Sequence, residues 1–196
     1  MKALKVILAF LKLKLAISRN HLLRIVVGSS GVFEKGWIPT DVSTLNLLKP
    51  KKWRLFLKEN SIDIILAEHV WEHLTVEEGM QAASTCYTFL KKGGWVRAAV
   101  PDGFHPRQEY IEYVKPGGTG AGADDHKVLY NYKTFAKAFE QAGFTVQLLE
   151  YFDEKGNFCF KEWNKDDGMI HRSTRFDERN NIDPHKYTSI VLDARK

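Results

Sequence analysis

Apolar residues along the chain fall into short continuous runs separated by longer stretches of mixed polarity. The continuous runs are rich in β-branched residues, which predicts strands at residues 22–27, 37–40, 61–68, 95–101, 144–152 and 187–194. The mixed stretches predict helices at residues 51–58, 76–91, 106–114 and 131–142. Strands that alternate with helices indicate an α/β fold, with a mostly parallel sheet and helices on both faces.

Turn residues and spacings set the limits of these elements. Thr75 and Glu78 form a capping-box pattern before the helix that runs to about residue 91, and the glycines of KKGG (91–94) stop it. The last two strands predict an antiparallel pair at the sheet edge, and a hairpin is expected around Asn157. Only about twenty residues separate Asp41 from Ile62, so a strand between them must be very short or absent. We expect one domain over residues 21–196, preceded by a helix over residues 1–20.

The fold class directs attention to one edge of the sheet. In open α/β sheets, ligands bind beyond the carboxyl ends of the strands, where the strand order reverses. The residues that follow the predicted strands are Gly28 to Gly31, Asp41, Glu68 to His73, and Asp102. These are the candidate site residues.

The turn GSSG (28–31) follows the first strand. Gly28 and Gly31 carry no Cβ, so the backbone can pass close to a ligand there. Asp41 ends the next strand, and its carboxylate can accept hydrogen bonds from both hydroxyls of a ribose. A glycine turn beside such an acid is typical of a nucleoside site, although a solvated turn aspartate is an alternative for Asp41.

The stretch AEHVWEHL (67–74) contains H-x-x-E-H, the pattern of one clan of zinc metalloproteases. In those enzymes both histidines lie on one helix and share a face. Here His69 ends a strand and the helix begins only after Thr75, so His69 to His73 are predicted to form a loop. We expect no metal site, because a third ligand cannot be assigned. The pattern instead indicates an acid and imidazole cluster suited to proton transfer, or histidines that only satisfy the loop.

A second glycine-rich stretch, GTGAGA (118–123), fits a phosphate-loop pattern better than GSSG does. No predicted strand precedes it and no helix directly follows it, so the context for binding phosphate is absent. We predict either a lid over the site or a plain surface loop. His126 follows this stretch and would enter the site together with a lid.

The order of these motifs resembles the class I S-adenosylmethionine (SAM)-dependent methyltransferases, in particular a group of small bacterial members. The similarity lies in RIVVGSSGVFEKGWIPTD (24–41), NSIDIILAEHVWEHLTVEEG (60–79) and CYTFLKKGGWVRAAVPDG (86–103). It covers roughly residues 22–151, and EHVWEHL is its most specific part. The resemblance implies a Rossmann-like methyltransferase sheet with an antiparallel edge hairpin, and SAM as the cofactor.

The resemblance also implies roles for individual residues. Those expected to bind the cofactor are Gly28, Ser29, Ser30, Gly31, Trp37, Asp41, Asn46, Leu47, Glu68 and His69. His73 is the first candidate for the general base, because an imidazole titrates near neutral pH. His126 is the second candidate, and Asp102 is expected to orient the methyl acceptor. The acceptor is expected to be a small molecule or a saccharide.

Two positions depart from the family pattern. Ser30 stands where the family usually has glycine, and Asn46 stands where an acid is common. These departures make a second function possible, in which a protein of methyltransferase fold binds SAM or a nucleotide without catalysis.

The net charge of +5 changes the picture only at the N-terminus, because residues 1–24 hold six of the 29 basic residues and none of the 24 acidic ones. The near-neutral remainder gives no indication of nucleic-acid binding. The basic arm predicts an amphipathic helix that either packs on the body or lies on anionic lipid, in which case the acceptor would be a lipid-linked or envelope sugar. Lys12 and Lys14 interrupt its apolar run, so we expect neither a signal peptide nor a membrane span. The two cysteines lie in no motif, which favours a cytoplasmic location.

Overall fold

A computed structural model describes residues 11, 13–19 and 22–196 of the chain. Within this part, seven strands form one sheet: β1 (Arg24–Val26), β2 (Ile38–Pro39), β3 (Ile62–Glu68), β4 (Leu90–Pro101), β5 (Thr145–Phe152), β6 (Phe158–Phe160) and β7 (Ser189–Arg195). The helices are α1 (residues 13–19), α2 (Pro50–Trp53), α3 (Val76–Phe89), α4 (Gln108–Val114) and α5 (Tyr132–Glu140). Short 3-10 helices occur at Trp71–His73, Ala123–Asp125, Lys165–Asp167 and Glu178–Asn181.

The sheet has the strand order β2-β1-β3-β4-β7-β5-β6. Strands β1 to β4 run parallel to one another. Strand β7 runs antiparallel to both β4 and β5. The predicted Rossmann-like sheet is therefore confirmed. The chain passes from β1 to β2 on one side and then to β3 on the other, so the strand order reverses between β1 and β3, where a ligand site is expected.

The antiparallel edge differs in detail from the prediction. The last two long strands, β5 and β7, do pair, through Leu148 and Leu192 for example, but β7 lies inside the sheet. Every residue of β7 except Arg195 is buried, which is the burial expected of a central strand. The edge itself is the hairpin of β5 and β6, which turns at residues 153–157 as predicted near Asn157.

The connection between β2 and β3 contains no strand, since residues 40–61 are all described and form only α2 and turns. The helix predicted at residues 51–58 is wrong in length, because α2 ends at Trp53. The indole of Trp53 is buried and donates to the carbonyl oxygen of Asn46 at 2.9 Å. The amides of Leu55 and Phe56 then bond three residues back, as in a tight turn.

The third helix begins and ends for reasons visible in the sequence. Thr75 and Glu78 form the predicted capping box, with both reciprocal hydrogen bonds present. The helix ends at Phe89, two residues earlier than predicted, because Leu90 already belongs to β4. A register shift between Ile62 and Ile64 accommodates the extra residues at the start of β4.

The two faces of the sheet bury different kinds of structure. On one face, Ile65 and Val96 share a large cluster with Phe89 of α3 and with Phe135 and Phe139 of α5. On the other face, residues of β1, β3 and β4 meet Trp163 and Ile170. Both of these come from the segment between β6 and β7, residues 161–188, which is called the C-terminal segment below.

The predicted N-terminal helix falls largely outside the described residues, including Lys2, Lys5 and Lys12. In the part that is described, Leu13 is buried in the larger cluster, whereas Leu11 and Leu15 are exposed. None of the helices in the described part of the chain is long and apolar enough to cross a membrane.

Candidate functional site

A cavity of about 340 Å³ opens at the carboxyl ends of β1 and β3, where the strand order reverses. Four segments form its walls: the turn after β1, the residues after β3, the loop after α4 and the C-terminal segment. The lining residues include Gly28, Ser29, Ser30, Glu68, His69, Glu72, His73, Ala121, His126, Met169, His171 and Arg172. Seven of the predicted site residues therefore meet in one place.

The turn after β1 is held in a conformation that favours glycine. Gly28 and Gly31 have φ angles of 64° and 88°, and a Cβ on Gly28 would lie 2.6 Å from Cγ2 of Val70. Ser30, between them, also has a positive φ of 46°, which a residue with a side chain adopts only at a cost. The backbone here therefore passes too close to the loop after β3 for any side chain at position 28.

Asp41 is fixed relative to this turn. Its Oδ1 atom accepts a hydrogen bond from the amide of Ser30 at 3.1 Å, while its backbone amide bonds to Oγ1 of Thr44 at 2.9 Å. The carboxylate is exposed to solvent. Asp41 does not line the cavity itself, but it is tied to the turn that does. This arrangement leaves a free carboxylate oxygen beside the turn for a ligand hydroxyl.

His69 lies at the centre of a hydrogen-bonded chain. It has a φ of 54°, and its Nε2 atom is 3.0 Å from Oγ of Ser189 on β7. The hydroxyl of Ser189 donates to the carbonyl oxygen of Arg172 at 2.8 Å, so it accepts a hydrogen bond from Nε2 of His69. On the other side of the ring, Nδ1 is 2.9 Å from Oε1 of Glu72. The ring of His69 therefore lies between β7 and the buried carboxylate of Glu72.

Glu72 lies within the candidate range Glu68 to His73, but the sequence assigned it no role of its own. Its side chain is fully buried, and its backbone oxygen accepts hydrogen bonds from the amides of Lys127 and Val128. These two bonds hold the end of the glycine-rich loop against the residues after β3. The sequence signal was the adjacency of Glu72 to His73.

His73 and His126 come together because of this contact. Their ring centroids are 4.8 Å apart with the rings nearly perpendicular. Nδ1 of His126 donates to the carbonyl oxygen of Val114 at 2.7 Å, so its Nε2 atom keeps a lone pair. Oδ2 of Asp125 is 3.3 Å from Nδ1 of His73. Both predicted candidates for the general base thus lie in the cavity wall, although 53 positions apart in sequence.

Glu68 has a partner that the sequence did not indicate. Its two carboxylate oxygens accept hydrogen bonds from the backbone amides of His171 and Arg172, at 3.1 and 2.6 Å. The C-terminal segment is thereby held across the carboxyl end of β3. Met169, His171 and Arg172 join the cavity wall as a result.

Six predicted site residues do not line the cavity: Gly31, Trp37, Asp41, Asn46, Leu47 and Asp102. Trp37 is buried beside the guanidinium of Arg24. Oδ1 of Asn46 accepts a hydrogen bond from the amide of Leu48, and Leu47 is buried in the core. The contacts of Trp37, Asn46 and Leu47 with the cofactor remain predictions.

Asp102 is fully buried between two chain segments. Its carboxylate accepts hydrogen bonds from the amides of Phe104 and Phe152, at 2.9 and 2.7 Å. Burial raises the pKa of Asp102 to about 6, although the two backbone hydrogen bonds act in the opposite direction. These contacts tie the end of β4 to the end of β5, which is a structural task.

Comparison with known proteins identifies the fold in which this cavity lies. A family model described as "Methyltransferase domain" matches residues 43–98. The solved structure of a SAM-dependent methyltransferase from Archaeoglobus fulgidus superposes with a TM-score of 0.54 at 17% identity, covering 97% of this chain and 94% of that one. The chain has the fold of a SAM-dependent methyltransferase. A second methyltransferase of this fold, described as a possible histamine N-methyltransferase from Thermotoga maritima, has a TM-score of 0.50 at 15% identity, with 96% and 89% coverage.

A third structure of the same fold is PigF, solved with S-adenosylhomocysteine (SAH), at a TM-score of 0.50 and 7% identity. The match covers 92% of this chain and 45% of that one. No curated protein matches the chain in sequence. SAM is the cofactor of this class, and it supplies a methyl group on a positively charged sulfur. The close approach of Gly28 to Val70, with no room for a Cβ, is the kind of backbone cradle that such a cofactor requires.

Proposed function

We propose that the protein transfers a methyl group from SAM to a small-molecule or saccharide acceptor bound in the cavity beyond β1 and β3. The observation that supports this most directly is the meeting of a glycine cradle with an acid and imidazole cluster at the point where the strand order reverses.

The turn from Gly28 to Gly31 holds the methionine end of the cofactor, and Asp41 accepts hydrogen bonds from the ribose hydroxyls. The free oxygen of the Asp41 carboxylate and its fixed position beside Ser30 support this role. Glu68 and His69 border the cofactor on the side of β3. Asn46 and Leu47 border the adenine once the connection between β2 and β3 approaches the cavity, and Trp37, directly before β2, also contacts the cofactor.

His73 takes the proton of the acceptor in this proposal, with His126 as the second candidate. His126 has a lone pair on Nε2 because its Nδ1 donates to Val114. Both rings reach the cavity, and the loop that carries His126 is the predicted lid. Asp102, which is buried and bonded to two amides, contributes by fixing the ends of β4 and β5 rather than by touching the acceptor.

The acceptor is expected to enter from a second, smaller cavity of about 160 Å³ that shares His69, Ala121, His126 and Arg172 with the first. Its outer wall holds two aromatic rings and a second guanidinium: Tyr113, Tyr187 and Arg179. Aromatic faces and guanidinium donors suit a polar acceptor with a ring, such as a saccharide or a small carboxylate.

Titration calorimetry with SAH tests the cofactor half of the proposal. Wild-type protein is expected to bind SAH, and Asp41→Ala is expected to bind at least about tenfold more weakly, because a hydrogen bond to a charged group contributes about 1.5–3 kcal/mol. Asp166→Ala, at an exposed aspartate of the C-terminal segment, is the matched control and should bind as wild type does. Equal affinity of the two variants would contradict the role of Asp41.

Transfer of label from methyl-labelled SAM into fractionated cell extract tests catalysis. His73→Ala is expected to slow transfer by about 100-fold or more, with SAH affinity within about threefold of wild type. An unchanged rate would remove His73 as the base.

The same pair of measurements separates catalysis from the alternative, a protein of this fold that binds SAM or a nucleotide without transferring the methyl group. The strained φ of Ser30 favours that alternative, because it places a side chain in the cofactor turn. Tight SAH binding with no labelled product from any fraction would support it. Peripheral membrane contact through residues 1–20 is tested by sedimenting the chain with anionic liposomes, with and without those residues.

A further inference from the structure

Three side chains of the cavity wall converge on one point. Glu72, His73 and His126 each offer a ligand atom, and these atoms lie within 4.8 Å of one another. The 3-10 helix after β3 supplies the first two, and the end of the glycine-rich loop supplies the third. Because the amides of Lys127 and Val128 bond to the backbone oxygen of Glu72, the fold itself fixes this convergence.

Glu72 lacks the partners that a buried carboxylate requires. The residue is 0% exposed, and neither carboxylate oxygen receives a well-formed hydrogen bond, although Nδ1 of His69 approaches one of them at 2.9 Å. Nδ1 of His73 is also buried without a hydrogen bond. Burying a carboxylate without hydrogen bonds or a cation costs several kcal/mol or more. Oε2 of Glu72 has no hydrogen-bond partner among the described residues, and a bound cation would supply one.

The histidine from the loop is oriented as a metal ligand is. Metal-bound histidines usually donate their other ring N–H to a backbone carbonyl or a carboxylate, which fixes the tautomer and the ring direction. His126 does so through Nδ1 and the carbonyl oxygen of Val114 at 2.7 Å, which leaves Nε2 available. Oδ2 of Asp125 lies 3.3 Å from Nδ1 of His73 without forming a hydrogen bond, so the second ring has a nearby carboxylate but is less firmly oriented.

We propose that Glu72, His73 and His126 bind a divalent transition-metal ion in the wall of the cavity. Two imidazoles and one carboxylate suit zinc, manganese, iron or cobalt, whereas magnesium and calcium prefer sites made of oxygen alone. Three protein ligands leave coordination positions open, and all three residues line the cavity. The open positions therefore face the space where we place the acceptor.

This site differs from the protease pattern that the sequence suggested. His69, the first histidine of H-x-x-E-H, is turned to Ser189 and Glu72 and is not part of the convergence. The third ligand comes instead from His126, which spacing within AEHVWEHL cannot reveal. The expectation of no metal rested on the missing third ligand, and the loop supplies it.

One consequence rests on the proposed function, whereas metal binding itself does not. A metal ion at this point would hold a hydroxyl of the acceptor and lower its pKa. The bound hydroxyl would then lose its proton to solvent water without a histidine base, and His73 and His126 would act as ligands.

Cobalt(II) titration of the full chain tests the site, with untagged protein first stripped by a chelator. The wild type is expected to bind one Co²⁺ per chain by calorimetry and to develop visible absorption bands from the bound ion. His126→Ala should weaken binding at least about tenfold, since even the loss of an orienting partner costs 10–100-fold in metal affinity. His171→Ala is the matched control, because His171 lines the same cavity outside the cluster.

Glu72→Gln should also bind Co²⁺ more weakly. Because Glu72 is buried, this substitution can impair folding, so the thermal unfolding of each variant is measured as well. The affinity of His126→Ala for Co²⁺ therefore decides whether the site exists. The proposal is overturned if the wild type binds no Co²⁺ at micromolar concentration, or if His126→Ala binds it as tightly as the wild type and His171→Ala do. SAH titration of the stripped protein separates the two proposals. SAH binding without Co²⁺ binding removes the metal site alone, and Co²⁺ binding without SAH binding removes the proposed function alone.

Discussion

The two faces of the sheet are covered in different ways. On one face, α3 and α5 pack Phe89, Phe135 and Phe139 onto the strands, and apolar contact holds the layers together. On the other face, the C-terminal segment has little regular structure and is fastened by charged groups of the sheet. Glu68 accepts the amides of His171 and Arg172, and Glu150 accepts the indole N–H of Trp163 and the amide of Thr174.

Arg97 completes this polar fastening. Its guanidinium donates to both carboxylate oxygens of Asp193 and to the carbonyl oxygens of Asn164 and Gly168, at 2.7–2.9 Å. The comparison shows that irregular chain can cover a sheet when buried side chains of the strands satisfy its backbone groups. It also shows why the cavity lies where it does, because the same fastened segment supplies one of its walls.

Removing the contacts of Arg97 on the polar face should have the largest effect on the free energy of unfolding. Arg97→Met leaves Asp193 buried without its partner and two carbonyl groups without a donor, so we expect a loss of about 3–5 kcal/mol in the free energy of unfolding. Urea denaturation measures this. The double variant Arg97→Met/Asp193→Leu should recover part of the loss, because it removes the unpaired charge. A loss below about 1 kcal/mol for the single variant would show that the segment does not depend on this contact.

The second largest effect should come from the buried carboxyl group of Asp102, through the pH dependence of the free energy of unfolding. The pKa of Asp102 is about 6 in the fold because of burial, against about 3.9 in the unfolded chain. The fold therefore binds a proton more readily, and the stability associated with this group is greatest below pH 4. It should fall by up to about 3 kcal/mol as the pH rises from 4 to 6.

The measurement is the free energy of unfolding from pH 4 to 7 for wild type and Asp102→Asn. The variant carries no titrating group at this position, so the difference between the two curves isolates Asp102 from Glu150, whose pKa burial also raises. Parallel curves would contradict the prediction.

On the face covered by α3 and α5, loss of the capping hydroxyl of Thr75 should lower the free energy of unfolding by less. Thr75→Ala removes the side-chain acceptor for the amide of Glu78 at the start of α3. We expect a loss of about 1 kcal/mol in the free energy of unfolding. Ser84→Ala, at an exposed position within the same helix, should stay within about 0.5 kcal/mol of wild type. A larger loss for Ser84→Ala than for Thr75→Ala would refute the capping assignment.

The smallest effect is expected in the turn after β1. Ser30→Gly relieves the positive φ of 46°, which costs roughly 1–2 kcal/mol for a residue with a side chain, but it adds about 0.4–1 kcal/mol of unfolded-chain entropy. A net gain below about 1 kcal/mol should result. Ser29→Gly, where φ is not positive, should only lose stability, and a gain of the same size there would contradict the strain argument.

The parts of the fold that the sequence predicted are those set by local pattern. The capping box at Thr75, the buried run of β3 and the absence of a strand between Asp41 and Ile62 all depend on residues near one another in the chain. The position of β7 was not predictable in this way, because pairing between β4 and β7 joins residues about a hundred positions apart.

In the candidate site as well, the residues set by local position were predicted and those set by distant contacts were not. The residues that directly follow β1 and β3 were identified, since the carboxyl ends of parallel strands meet at one edge. The partners of Glu68 are 103 and 104 positions away in the C-terminal segment, and no spacing rule reaches that far. Asp102 also directly follows a strand, which is why it was predicted as a site residue. Its carboxylate instead accepts hydrogen bonds from the amides of Phe104 and Phe152.

The central place of β7 has a consequence for biosynthesis. Residues 189–195 follow the other six described strands in the chain, yet they stand between β4 and β5 in the finished sheet. Until they emerge from the exit tunnel, the hairpin of β5 and β6 has no strand to join, and Ser189 cannot reach His69. The nascent chain therefore cannot complete this sheet before β7 has emerged, and apolar strand surface stays open to aggregation or to chaperones until then.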